Sequence, residues 1–273
     1  MQLDLTQFRG RHVFVAGGTT GINYGIAEAF GRVGARVAVL SRSAENVATA
    51  QARLQALGGE ALGCVGDVRQ PATVQEAMAR AVAAYGPIDV LVSGAAGNFL
   101  ALAAEMSPNA FKTVVDIDLL GSFNVLRSAH EHLRKPGACV IQISAPQADT
   151  PTPWQSHVCA AKAGVDMLTR TLALEWGGEG IRINSIVPGP IADTEGIRRL
   201  APTPEALERM TARVPLQRMG RCEDVARCAL MLASDWGSYI TGAVIPVDGG
   251  LSLTGPRDFA SAAAAAAAAR SRA

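Results

Sequence analysis

Short aliphatic and β-branched runs alternate with longer amphipathic stretches from near the start of the chain to about residue 250. That alternation predicts βαβ units assembled into a parallel sheet. Seven runs read as strands, over residues 12–16, 37–40, 61–65, 90–93, 139–143, 181–186 and 243–247. Each is nearly continuously apolar, as a strand covered by helices on both faces must be. Between them the spacing of apolar positions predicts helices over 44–57, 71–84, 107–134, 156–176 and 222–233. Gln70-Pro71 and Ser107-Pro108 supply starts, because proline in a first helical turn gives up only an N–H that lacks a helical partner. The expected fold is α/β: a Rossmann-type, doubly wound, seven-stranded parallel sheet with helices on both faces, in one domain over residues 1–250.

Two segments depart from the rhythm. Residues 188–215 open with Pro188-Gly189-Pro190, contain a polar helical piece, and are too long for a simple connection, so about 190–215 reads as a lid. Residues 251–273 include eight consecutive alanines, a run with no large apolar side chain to dock it, so this tail is expected to be flexible and remote from the chemistry.

Composition narrows the partners. With 25 Lys+Arg against 24 Asp+Glu, the net charge of +1 sets up no field for nucleic acid or an anionic membrane, which leaves a small molecule. The five cysteines, Cys64, Cys139, Cys159, Cys222 and Cys228, form no C-x-x-C pair, so reduced thiols in a cytoplasmic protein are expected, with no disulfide framework and no metal site. No leader-like apolar run opens the chain, and no later stretch reaches the roughly eighteen apolar residues of a membrane span.

The first chemical signal follows the first strand. Gly17, Thr19, Thr20, Gly21, Ile22 and Asn23 form a glycine-rich turn into an apolar helix, a place where backbone N–H groups and a helix N-terminus approach a pyrophosphate. The second strand ends on Ser41, Arg42 and Ser43, without the carboxylate that would hold a ribose diol. A guanidinium there grips a 2′-phosphate, so NADP(H) is favoured over NAD(H). Asp67, with Val68 beside it, fits an adenine contact, although an aspartate capping a turn reads nearly as well.

These pieces resemble the short-chain dehydrogenase/reductase family over residues 8–250: the Gly17 to Gly21 loop, Asp67, the Gly94-Ala95-Ala96-Gly97 turn, Lys162 in its helix, and Pro188-Gly189-Pro190-Ile191 with Thr194 beyond it. Within the family the stretches around Asn98-Phe99, Asp116 to Gly121 and Pro188 to Gly196 look most like peroxisomal-type 2,4-dienoyl-CoA reductases and their bacterial relatives. The resemblance implies that these residues, Lys162 among them, hold the cofactor, and that the protein is a homotetramer.

Four positions depart from the family pattern. Asn23 replaces the third loop glycine. Val158 replaces the tyrosine four residues before Lys162, and Tyr24, Tyr85 and Tyr239 lie elsewhere in the sequence. Ala145 replaces the serine, with Ser144 beside it expected to point away, while Asp118 stands where the family has a helix asparagine. Ketone reduction needs an acid at oxygen as hydride arrives, and that acid is missing. Reduction of a conjugated dienoyl thioester ends instead in protonation on carbon, which water suffices to supply. The resemblance implies that Asp118 and Lys162 hold that water, giving a 3-enoyl-CoA. Phe99, Asn98, Gln147, Trp154 and His157 are expected around the substrate. Two readings stay open beside this one: a reductase of another activated alkene or ketone with His157 as acid, and a catalytically silent NADP(H)-binding protein.

Overall fold

The computed structural model describes residues 4–254 apart from Asp193 and Pro202. Its strands are β1 (His12–Ala16), β2 (Arg36–Ser41), β3 (Ala61–Val65), β4 (Val90–Ser93), β5 (Cys139–Ile143), β6 (Arg182–Pro188) and β7 (Val244–Val247). All pair in parallel, in the order β3-β2-β1-β4-β5-β6-β7. The order reverses between β1 and β4, which opens a crevice at their carboxyl ends where open α/β sheets bind ligands.

The helices are α1 (Gly21–Arg32), α2 (Ala44–Gln55), α3 (Pro71–Tyr85), α4 (Pro108–Val115), α5 (Gly121–Ala129), α6 (Ser156–Trp176), α7 (Glu195–Leu200), α8 (Pro204–Thr211) and α9 (Cys222–Ala233). Strand alternation sends Val13 and Val15 to one face, where they pack with Ile26, Phe30, Ala229 and Leu232 of α1 and α9. Phe14 and Ala16 face the other way, among Met78, Leu126 and Leu172 of α3, α5 and α6. The central strands are buried on both faces, as predicted, but the two edge strands are not: Val65 of β3 is exposed, and β7 is only partly covered. An edge strand has one neighbour, and the helix layers stop short of it.

The predicted 107–134 helix is broken. Between α4 and α5 the segment Asp116–Leu120 winds as a π-helix, and the helical run ends at Ala129. Gly121 lets the helix approach Val68 so closely that a Cβ there would lie 2.6 Å from its side chain, and the Ser122 hydroxyl donates to the Asp118 carbonyl at 2.6 Å. A single wide turn of this kind is how an α-helix absorbs an added residue, and it recurs at functional sites. Residues 130–134 are drawn off the helix axis instead, by a bridge between Ile88 and Leu133 and by the Arg134 guanidinium binding Asp89.

The 188–215 insertion contains α7 and α8 and is tied at both ends: Ile191 bridges Gly220, and the Leu216 N–H donates to the Gly249 carbonyl. Leu251–Leu253 forms a last 3-10 turn, while the alanine run expected to be flexible lies outside the described residues.

At the amino edge of the sheet, His12 is fully buried and its Nδ1 bonds the Gly86 carbonyl at 2.8 Å. Burial pushes its imidazole below the ordinary value, against that bond and the Asp89 charge, with Arg36 and Arg134 adding to the depression. The unfolded chain therefore takes up the proton first as pH falls, and stability is lost below about pH 6.5. Urea midpoints at pH 7.5 and 5.5 are expected to show this fall, and His12→Asn, which keeps a donor without the titration, to flatten it. A second expectation concerns α1 and α9, where a Cβ on Gly25 would sit 2.5 Å from Cys222 Cβ. Gly25→Ala is expected to cost about 1–3 kcal/mol in urea unfolding.

Candidate active site

The loop after β1 is shaped by two glycines. Gly17 has φ +78 and donates to the Leu40 carbonyl at 2.8 Å, and a Cβ on it would lie 2.8 Å from the Ala95 nitrogen. Gly21, at φ +56, has open space where its side chain would be. Thr20 is the N-cap of α1 yet makes no side-chain cap bond, so the cap leaves donors of the first turn available to an anion. Thr19 is buried beneath this cradle, and Ile22 packs on the core. These features fit a dinucleotide pyrophosphate.

Asn23, which replaces the third loop glycine, lies in the first turn of α1. Its Nδ2 donates to the Gly94 carbonyl at 2.7 Å and ties the loop to the turn after β4.

Ser41 closes β2, Ser43 caps α2 by accepting from the Asn46 N–H at 3.2 Å, and exposed Arg42 lies between them. Asp67 caps a turn in this structure. It accepts from the Arg69 backbone N–H at 3.0 Å and pairs with that residue's guanidinium, which holds the carboxyl below the usual carboxylate range. The Arg42 charge acts on the same carboxyl, placing Arg42 and Asp67 at one end of the crevice. The Val68 carbonyl is held by Asn124 Nδ2 at 2.9 Å.

The centre of the site is a buried ion pair. Asp118 lies in the π turn and is 1 % exposed; Lys162, on α6, is 5 % exposed. The Gly97 N–H donates to Asp118 Oδ1 at 2.7 Å, and Lys162 Nζ donates to the Ile143 carbonyl at 3.0 Å. Asp118 Oδ2 lies 3.4 Å from Lys162 Nζ and makes no hydrogen bond. An ammonium has three donors and a carboxylate several acceptor sites, so unused valences of opposite sign face one another. Asp116, by contrast, pairs with Lys112 on the surface, as a solvated carboxylate should.

Around this pair the family's usual acid is absent. Val158 is buried, and none of the three tyrosines approaches it: Tyr24 lies under Arg53, Tyr85 meets His12 edge-on at the opposite edge, and Tyr239 is fully exposed. Ser144 does face away from the crevice. Its buried hydroxyl lies beside Asp166, whose carboxyl is raised by burial and eased by Ser144 and Ser185, the latter donating at 2.9 Å.

The expected substrate residues converge in part. The Phe99 ring stacks on His157 with centroids 4.3 Å apart. The five-residue offset from Lys162 does turn His157 off that face, but towards the β4 turn, where it is completely buried. Burial lowers its basicity, and although the Phe99 carbonyl and the Asp118 charge oppose this, neither ring nitrogen closes a hydrogen bond. Gln155, which the sequence reading missed, joins the two loops: its Oε1 accepts from Gln147 Nε2 at 2.8 Å, and its Nε2 donates to Asn98 Oδ1 at 2.9 Å. A lone glutamine before a helix carries no pattern that would have marked it. Trp154 stands at the rim, half exposed, with φ +69.

Beyond β6, Gly189 passes the Asp248 backbone so closely that a Cβ would lie 2.6 Å from Asp248 Cα. Thr194 caps α7 and donates to the Ile191 carbonyl at 2.8 Å. A cavity of about 530 Å³ lies between this segment and the 246–250 loop, lined by Gly189, Ile191, Leu216, Arg218 and Asp248. Neither Asp118 nor Lys162 lines it.

Comparison with known proteins agrees with this geometry. The family described as Enoyl-(Acyl carrier protein) reductase matches residues 16–252. The peroxisomal 2,4-dienoyl-CoA reductase of Pongo abelii is 44% identical over 252 residues, covering 92% of this chain and 86% of its own length. That of Arabidopsis thaliana is 42% identical over 260 residues, covering 91% and 87%. A probable 2,4-dienoyl-CoA reductase of Bacillus subtilis is 37% identical over 241 residues, covering 87% and 95%. Among solved structures, a dehydrogenase/reductase from Sinorhizobium meliloti superposes with a TM-score of 0.84 at 31% identity, covering 90% of this chain and 98% of that one. The Pseudomonas aeruginosa RhlG/NADP active-site complex superposes at 0.85 and 30% identity, covering 92% and 100%.

The cytoplasmic expectation is corrected by these relatives, whose names place the Pongo abelii and Arabidopsis thaliana proteins in peroxisomes. Free, scattered thiols report redox state, whereas a compartment is chosen by a receptor-read address that cysteine spacing does not encode. Fold, cofactor cradle and relatives converge: the chain belongs to the short-chain dehydrogenase/reductase family and is an oxidoreductase.

Proposed function

We propose that this protein is an NADPH-dependent 2,4-dienoyl-CoA reductase that forms a 3-enoyl-CoA and takes its proton from water held by Asp118 and Lys162. The observation that carries this reading is the buried pair itself, with Asp118 Oδ2 facing Lys162 Nζ at 3.4 Å without a hydrogen bond, beside Val158 and Ala145. The relatives named as 2,4-dienoyl-CoA reductases support the substrate class, and the two peroxisomal ones, named as (3E)-enoyl-CoA-producing, support the product, whereas the Bacillus subtilis protein is named as (2E)-enoyl-CoA-producing.

Bound NADPH supplies the hydride. When hydride reaches the δ carbon of the dienoyl thioester, the electron pairs shift along the conjugated bonds and negative charge collects at the thioester oxygen and α carbon. A proton added at the α carbon then leaves one double bond, between the β and γ carbons. Asp118, oriented by the Gly97 N–H, and Lys162, anchored on the Ile143 carbonyl, hold a water for that proton transfer. The Lys162 charge favours the enolate over the neutral thioester, which is differential stabilisation of the kind that speeds a reaction. Asn98, Phe99, Gln147, Trp154 and His157 border the acyl group, and α7 with α8 serves as the lid over it.

Thr19, Thr20, Gly21, Ala95, Ala96, Gly97, Lys162, Pro188, Ile191 and Thr194 hold the dinucleotide, with Ser41, Arg42 and Ser43 at its 2′-phosphate. The half-exposed Phe123 and exposed Met167 and Leu174 support assembly into a homotetramer, which light scattering on the purified protein measures.

Asp118→Asn and Lys162→Ala are each expected to lower kcat on a 2,4-dienoyl-CoA about 100-fold, with a smaller change in thioester KM, read from the loss of NADPH absorbance. Wild-type turnover in both variants sinks the mechanism, and tight NADPH binding without turnover on any dienoyl thioester sinks the activity. Arg42→Ala is expected to raise the NADPH KM about 10- to 100-fold while leaving that for NADH nearly unchanged. Equal losses with both cofactors would remove the 2′-phosphate assignment.

A further inference from the structure

Asn23 occupies a position that the family pattern gives to glycine, and here it makes a contact that glycine cannot. Its Nδ2 donates to the Gly94 carbonyl at 2.7 Å, and a Cβ on Gly94 would fall inside the Asn23 amide. The orientation of that amide follows from its partner: a carbonyl accepts, so the NH₂ side must face it, which leaves Oδ1 buried and without a partner. A second contact lies beside the first, where Gly17 meets the backbone of Ala95.

The turn held in this way has little else to fix it. Gly94, Ala95, Ala96 and Gly97 carry only hydrogens and methyl groups, and glycine at both ends gives the backbone wide conformational freedom. Its other tether on the sheet side is the Gly94 N–H donating to the Ala16 carbonyl at 3.1 Å. Three residues along, the Gly97 N–H donates to Asp118 Oδ1 at 2.7 Å, and Asp118 Oδ2 faces Lys162 Nζ at 3.4 Å. The cofactor cradle and the buried ion pair are thus joined by one short piece of backbone, clamped at one end by Asn23 and bonded at the other to Asp118.

We propose that Asn23 is a positioning residue: through the Asn23–Gly94 bond it fixes the 94–97 turn, and through that turn it sets both the grip on the dinucleotide and the orientation of Asp118. The link to turnover rests on the assignment of Asp118 to proton transfer, whereas the link to the turn and to dinucleotide binding does not.

Two variants test it. Asn23→Gly removes the amide, and Asn23→Asp keeps its shape while setting a carboxylate against the Gly94 carbonyl. Amide hydrogen exchange over residues 94–98 is read in the cofactor-free protein, NADPH affinity by fluorescence titration, and kcat and KM on a 2,4-dienoyl-CoA. Exchange over 94–98 is expected to speed up about tenfold in both variants, NADPH affinity to weaken about three- to tenfold, and kcat to fall about tenfold with thioester KM within twofold. Exchange away from this turn should stay as in the wild type, which a general loss of stability would not allow. If Asn23→Asp does not fold, Asn23→Gly decides alone. Unchanged exchange over 94–98 in folded Asn23→Gly overturns the clamp. Faster exchange with full kcat overturns the coupling to Asp118. Faster exchange and weaker NADPH binding with no dienoyl turnover even in the wild type leave the clamp standing and overturn only the assigned reaction.

Discussion

A carboxylate and an ammonium buried within 3.4 Å of each other set the terms for the rest of this site. Removing such charges from water is costly, and their mutual attraction offsets the cost only when both are also hydrogen-bonded. Each has one firm bond to the main chain, Asp118 from the Gly97 N–H and Lys162 to the Ile143 carbonyl. Those two backbone groups follow β4 and end β5, which are neighbours in the sheet. The pair is therefore held by the strand order itself, at the edge where the crevice opens.

The helix carrying Asp118 brings that side chain into the site while seating Gly121 on Val68. The π turn over Asp116–Leu120 reconciles the two demands, with the Asp118 side chain inside the site and its carbonyl taken by Ser122. A wide turn of this kind is less well packed than an α-helix. Here the surrounding contacts sustain it: Gly121 against Val68 on one side, and Gly164 of α6 against Leu119 on the other.

Losing a phenol at Val158 and a hydroxyl at Ala145 changes the reaction that such a site favours. Without a donor aimed at a carbonyl oxygen, ketone chemistry lacks its acid, while protonation on carbon needs only a water with a carboxylate on one side and a cation on the other. Ser144 does not compensate, because its buried hydroxyl lies beside Asp166 of α6 and makes no hydrogen bond.

Much of this was legible from sequence, and for local reasons. Apolar periodicity located all seven strands, since a buried strand needs an unbroken run and a covered helix needs a stripe; covalent spacing likewise placed Gly17, Gly21, Arg42, Lys162 and the vacancy at Val158. What tertiary structure alone decided were the contacts between segments distant in the chain. The break in the 107–134 helix, the Asn23–Gly94 bond, Gln155 bridging Asn98 and Gln147, and the Arg69 guanidinium on Asp67 each depend on where packing leaves a backbone carbonyl, an N–H or a neighbouring side chain. One residue type at one position carries no record of those distances, which exist only once the sheet has brought the loops at its carboxyl edge together.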